Sequence, residues 1–372
     1  MNLQLFATLK NYNFKNLPRD IFSGIIIAAV SIPISMGYAQ ISGIPAIYGL
    51  YGSVFPILFF ALFSTSKQFI FGVDAAPAAI VGSALSTLGI AVESPDAMKY
   101  VPMIALFAGL WLLLFYFLHA DRIVDFISTP VMGGFISGIS LTIIFMQIPK
   151  LMGSSAGSGE ILELLIHIFH AVKTISWFSL GMGIGALLLI RIFKKIFPKF
   201  PMAIVIMILG VLATRLFHVD EHGVVLLQAV EPGLPSLVLP QFGGIQLTHV
   251  VGRGLMVAVV IMAETLLAEN NFAFKNGYKL NDRQEILACA AGNIAASAVG
   301  CCPVNGSISR TSMNEQYGGT SQAVSLTAGL VMAVLLAGFT GFIGYLPVPV
   351  LTAIVISALM DVCLLYTSDA AD

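Results

Sequence analysis

Apolar runs bounded by charged residues or by Pro and Gly clusters recur along almost the whole chain. They predict membrane spans near 21–42, 47–63, 74–92, 100–118, 124–148, 175–193 and 201–217. A polar, Pro-containing stretch from His218 to Gln246 follows, and a second set of runs lies near 250–270, 284–300, 304–316, 321–340 and 345–360. A bilayer core about 30 Å thick takes about 20 apolar residues per helix, so the pattern predicts an all-α polytopic membrane protein. Residues 1–19 are polar and mildly basic, without the short apolar core and small-residue cleavage site of a removed signal peptide, and are expected to form a cytoplasmic N-terminal segment.

The two sets read as repeats of one plan, because the third segment of each is short and interrupted. Gly72, Asp74 and Pro77 break FIFGVDAAPAAIVG, and Gly300, Pro303 and Gly306 break VGCCPVNGSISR. An odd number of spans per set inverts the second copy relative to the first. The first repeat is expected over about 20–217 and the second, incomplete, over about 250–362. Paired broken helices in inverted repeats point to a substrate site near the membrane midplane, although Gly and Pro are also common in transmembrane helices without such a role.

Composition excludes most alternatives. The chain is 58% hydrophobic and 10% charged, where a soluble domain carries about 25% charged residues. A net charge of -1 leaves no basic face for nucleic acid, and Cys289, Cys301, Cys302 and Cys363 lack the spacing of a zinc or redox site. His167, His170, His218 and His222 fall in segments expected to be outside loops, with no carboxylate or Cys in a fixed motif beside them, so neither a metal nor a cofactor is expected. HExxH and the P-loop pattern are absent, which argues against a zinc protease and an ATP-driven pump.

Charge placement sets an orientation. With the N-terminus in the cytoplasm, the inside segments hold twelve Lys or Arg residues, among them Lys67, Lys194 and Lys275, and the outside segments hold five, with Arg310 left within the membrane. After Met360 the hydrophobic pattern stops in mid-segment. Residues 363–372, CLLYTSDAAD, resemble translated adapter sequence and are expected to be a non-native tail.

Three ionisable residues at membrane depth carry the candidate chemistry. A half-helix that starts inside the membrane aims free N–H groups and the positive end of its dipole into the protein, which makes an anion site from backbone. In VNGSISRTSMN, Ser307, Ser309 and Arg310 surround one such start. Glu264 lies about ten residues into the eighth span, where an ionised carboxylate without a partner costs several kcal/mol. It is either a proton-coupling group or half of a static ion pair with Arg310. Asp74 stands where a helix N-cap is favoured, and a coupling role requires it to be protonated beside an anion.

These segments also carry a family resemblance. RDIFSGIIIAAVSIPISMGYAQISGIPAIYGLYGSVFPIL with FIFGVDAAPAAIVGSAL, and Glu264 through NGYKLNDRQEILACAAGNIAASAVGCCPVNGSISRTSMN, resemble the SulP sulfate-permease signature regions. The resemblance implies a fourteen-span, seven-plus-seven fold in which a core domain (spans 1–4 and 8–11) moves against a gate domain (5–7 and 12–14). A cytoplasmic STAS domain usually follows. About twelve of the fourteen spans are expected here, without the STAS domain, together with a homodimer at full length and a plasma-membrane location. The implied substrate region comprises Ile34 to Tyr38, including Ser35 and Tyr38; Asp74, Ala75 and Ala76; and Ser307, Ile308, Ser309 and Arg310. Glu264 matches the family's acidic coupling position.

Two departures qualify the carry-over. Ile34 replaces the polar residue many members have, and Ala268 stands one turn past Glu264 where sodium-coupled members resemble one another in having a hydroxyl. The second favours protons over sodium, which needs several oxygen ligands. The expected function is proton-coupled or exchanging secondary transport of a small inorganic anion such as sulfate, bicarbonate or chloride. A nucleobase–proton symporter of the same architecture, an anion channel and a non-transporting membrane sensor remain alternatives.

Overall fold

Helices make up most of the chain because in hydrocarbon each backbone N–H and C=O must find a partner within the protein, and a helix provides one inside the segment itself. The computed structural model describes residues 4–369 apart from 11, 125–128, 158–160, 198–199 and 239–241. The predicted start of the fifth span, Lys199 and the last three residues of the tail lie in part or wholly outside the described residues.

Helix α1 covers Leu17–Ile41, followed by a broken pair, α2 (Ala46–Tyr51) and α3 (Phe55–Phe63). Strand β1 (Ile70–Val73) leads into α4 (Ala75–Thr87). Helices α5 (Ala97–Leu118), α6 (Asp121–Val124), α7 (Thr129–Leu151), α8 (Ile161–Lys173), α9 (Trp177–Ile196) and α10 (Met202–Phe217) complete the first part. The second part contains α11 (Leu247–Lys275), α12 (Asp282–Ala298), strand β2 (Val304–Ser307), α13 (Ile308–Gln316), α14 (Ala323–Gly338) and α15 (Val348–Asp369). Among the described residues, α1, α2 with α3, α5, α7, α9 and α11 are long and apolar enough to cross a membrane, while α4, α10 and α14 are shorter apolar helices.

Local chemistry sets several boundaries. Pro18 starts α1, where its missing N–H has no helical partner to lose. Ser176 caps α9 by accepting from the Ser179 N–H at 3.3 Å, and Lys194 and Lys195 occupy the last turn, where the dipole favours cations. Asn281 caps α12 by accepting from Gln284 N at 3.3 Å. Packing then sorts the helices into two groups. Helices α1, α3, α5, α11, α12 and α14 interlock, and α7, α9, α10 and α15 pack together beside them, with α1 against α15 and α4 against α7 joining the groups.

Two sequence expectations need correction. His167 and His170 sit on α8, not in a loop; its apolar residues alternate with polar ones at helical spacing, so it leaves no continuous hydrophobic run to read. The stretch 218–246 is a strap rather than a spacer: Leu227 N donates to Leu346 O, Val348 N to Val225 O and Val238 N to Ala298 O, binding both helix groups. Beyond these corrections, the backbone of α15 continues to Asp369, because an established helix extends at little cost through residues without Pro or Gly.

Candidate functional site

The break in each third segment is a short β-strand, and the two strands pair. Strands β1 and β2 run antiparallel in the register Ile70↔Ser307, Phe71↔Gly306, Gly72↔Asn305 and Val73↔Val304, with every residue buried. This ribbon holds the starts of α4 and α13 in one buried layer. Because the strands are antiparallel, the two helices leave it in opposite directions. The earliest N–H groups of each helix have no intrahelical acceptor and carry the positive end of the dipole. In α4, Pro77 falls in the first turn and removes one of these donors, leaving Ala75 and Ala76 to supply the first two.

Arg310 crosses from α13 to the opposite strand. It is 1% exposed, donating from Nη2 to the Val73 carbonyl at 2.8 Å and from Nη1 to Ser31 Oγ at 3.5 Å. Gly72 makes this approach possible, because a Cβ there would lie 2.9 Å from Nη1. The Arg310 Nε–H has no acceptor, and among the described residues no carboxylate pairs with the guanidinium within 4.0 Å. A full positive charge with an unused donor therefore sits beside the ribbon.

Glu264 reaches the same ribbon from α11. Its carboxylate accepts from Asn305 Nδ2 at 2.6 Å, Thr265 Oγ1 donates to Asn305 Oδ1 at 2.7 Å, and Gly306 N donates to Thr265 Oγ1 at 3.3 Å. The static Glu264–Arg310 ion pair is not formed: Asn305 is the partner Glu264 has. Asp74 occupies the N-cap position of α4; its side chain makes no hydrogen bond to the second or third N–H of the helix, and its carboxyl lies instead against the Ala75 N–H and the Ser307 hydroxyl. It is also within electrostatic range of Arg310, Glu264 and the buried phenol of Tyr38.

The other predicted residues divide. Ser307 and Ser309 are side by side at the start of α13, Oγ to Oγ 3.4 Å, with Ile308 between them. Ser35 is turned away: it accepts from Ser53 Oγ at 3.0 Å in the seam between α1 and α2. Asn305 and Thr265 also meet Glu264 at the ribbon and were not among the predicted residues, because only the folded ribbon brings them there. A cavity of about 850 Å³ reaches this layer, touching Val30, Ile34, Ile308 and Ser309 at its inner end and Lys194, Lys275 and Asp361 at its mouth.

Comparison with known proteins identifies the family and the fold. The sulfate permease family matches residues 17–369. The low affinity sulfate transporter 3 of Stylosanthes hamata is 30% identical over 379 residues, which cover 95% of this chain and 58% of that protein. A probable sulfate transporter of Mycobacterium tuberculosis is 27% identical over 353 residues, 94% of this chain and 62% of that one. The chain therefore spans less than two thirds of the length of these curated relatives. Among solved structures, the murine Solute Carrier 26 family member A9 anion transporter in the inward-facing state superposes with a TM-score of 0.88 at 20% identity, covering 98% of this chain and 63% of that one. The transmembrane domain of the cyanobacterium bicarbonate transporter BicA gives 0.85 at 22% identity, covering 95% and 90%. These two share the fold, and with the family match over residues 17–369 they show that the chain is a multi-pass membrane protein of the sulfate permease family.

Proposed function

We propose that the chain is the membrane domain of a secondary active transporter for a small inorganic anion, with the site at the starts of α4 and α13. The observation that carries this reading is Arg310, buried and without an ion-pair partner, next to the hydroxyls of α13 and the positive ends of two helix starts. Such a set of donors suits an oxyanion or halide, whereas the ring N–H groups of a nucleobase need carboxylate acceptors. In this reading α1 to α5 with α11 to α14 form the core of two inverted repeats and α7 to α10 with α15 the gate. Under the positive-inside orientation the mouth at Lys194 and Lys275 faces the cytoplasm, so the cavity is open inward. The plasma-membrane location and the full-length homodimer belong to the same proposal. Uptake of labelled sulfate by the full-length protein, competed separately by bicarbonate, chloride and uracil, tests it; competition by uracil alone would replace the anion reading with the nucleobase one.

Glu264 is the coupling residue in this scheme, with a proton as its ion. Its carboxylate binds the strand that positions α13, so a change in its charge acts on the anion site through one residue, Asn305. Glu264→Gln keeps an oxygen acceptor for Asn305 and removes only the titration. The variant is expected to bind anion nearly as well as the parent while its uptake no longer responds to a proton gradient. Retention of the parent's pH response in reconstituted vesicles would exclude Glu264 from coupling.

A further inference from the structure

A second pair of carboxyls lies on the same helix as Glu264 but away from the ribbon. Glu269 of α11 is 0% exposed, and neither of its oxygens has a hydrogen-bond donor. The group it meets is the carboxyl of Glu285 on α12, close enough for a hydrogen bond between the two. Glu285 is also fully buried, but it is well supplied: Ser64 Oγ donates at 2.7 Å, Thr65 N at 2.6 Å and Thr65 Oγ1 at 2.5 Å. Three donors suit an ionised carboxylate. Glu269, with none, cannot hold a charge against that neighbour.

The surroundings offer no neutralising cation. From α12 the pair is faced by Asp282 and Cys289, and from the α11–α12 turn by Tyr278, while the α3–β1 turn presents the uncharged Ser64 and Thr65. Lys67 holds its Nζ over the Tyr278 ring, 5.2 Å from the centroid. Arg283 donates to the Tyr116 carbonyl at 3.0 Å and lies over the Tyr116 ring on α5. On α6, which packs against both helices, Asp121 and Arg122 are of opposite sign. Among the described residues no Lys, Arg or His forms an ion pair with Glu269 or Glu285.

We propose that Glu269 and Glu285 form a proton-binding site, in which Glu269 is the neutral acid and donates its O–H to the Glu285 carboxylate. Two like charges in contact and out of water cannot both ionise, and a shared proton supplies the one donor this pair lacks. Glu269 follows Glu264 by five residues and serves α12, while Glu264 serves β2, so one helix carries two separate ionisable sites. The inference does not depend on the anion reading and needs no transport to test.

Infrared difference spectra of the purified chain in detergent, parent minus Glu269→Gln and parent minus Glu269→Leu, should both show a protonated-carboxyl band, any band from Glu264 being common to all three proteins. The Leu variant is included because it leaves Glu285 with its three donors and needs no proton. The parent should also lose several degrees of thermal midpoint as pH rises above the ordinary carboxyl range, as the proton that folding retains is removed, and both variants should lose less. Difference spectra that both lack the band would overturn the site. So would thermal stabilisation of the parent by sodium chloride over choline chloride that both variants lose, since sodium would then be the occupant.

Discussion

Arg310→Ala is expected to lower anion affinity roughly tenfold to a hundredfold in protein that still folds, since a hydrogen bond from a charged donor contributes about 1.5–3 kcal/mol. The helix starts and the Ser307 and Ser309 hydroxyls remain in the variant, so binding weakens without vanishing. Arg310→Lys should recover only part of the loss, because an ammonium replaces the charge but not the planar fork that reaches Val73 and Ser31 together. The fold is expected to survive because Arg310 neutralises no bonded acid. Glu264 keeps its Asn305 partner when Arg310 is removed, and Asp74, which loses a nearby charge, keeps the Ala75 N–H and the Ser307 hydroxyl. The double variant Arg310→Ala with Glu264→Gln should therefore show the same folded yield as Arg310→Ala alone. Binding of labelled sulfate to purified protein, with chloride and bicarbonate as competitors, reads the affinity, and detergent-solubilised monodisperse fraction reads the yield. A yield that falls in the single variant and returns in the double would make Arg310 a structural partner of Glu264 after all.

The spans, the two broken segments and the three ionisable residues were legible in the sequence because each leaves a local mark. A run of apolar residues, a Gly or Pro inside it, or a charge at membrane depth can be read without knowing what lies across the chain. The pairing of β1 with β2 leaves no such mark. Its two partners are separated by more than two hundred residues, and IFGV and VNGS are too short to read as strands inside otherwise helical segments. Asn305 and Thr265 were missed for the same reason: an Asn beside a Gly reads as part of a break until the ribbon places it against Glu264. Ser35 shows the opposite case. Its position in α1 is compatible with the site, but a helix has a second side, and close packing of α2, where a Cβ on Gly49 would lie 2.0 Å from the Ser35 carbonyl, claims that side.

The N-terminal segment was read as a polar lead-in, yet its junction with α1 is where a single change should do the most damage to folding. Asp20 is 0% exposed and accepts from Tyr12 Oη at 2.8 Å, Thr320 N at 2.7 Å and Ser321 Oγ at 2.6 Å, with Thr320 Oγ1 at 3.1 Å from both oxygens. It stands in the first turn of α1, where the helix dipole favours a negative charge. These bonds fasten the start of α1 to the turn between α13 and α14, and Ser23 Oγ extends the seam by donating to Asn314 Oδ1 at 2.7 Å. Asp20→Ala removes the acceptor from all these donors at once and leaves a buried backbone N–H and several hydroxyls unpaired. At about 1–3 kcal/mol for each unsatisfied group, the loss is on the order of 4 kcal/mol after partial relaxation. Asp20→Asn keeps one acceptor oxygen and should cost about half as much. Burial and the Asp20 hydrogen bond push the Tyr12 phenol up to about 12, so its share of the seam is complete below the ordinary tyrosine pKa near 10 and is lost only as pH rises through 12. The difference between parent and Asp20→Ala attributable to Tyr12 should therefore be flat between about pH 5 and 9. Thermal midpoints in detergent across that range check both points, and an Asp20→Ala protein as stable as the parent would show that this seam does not hold α1.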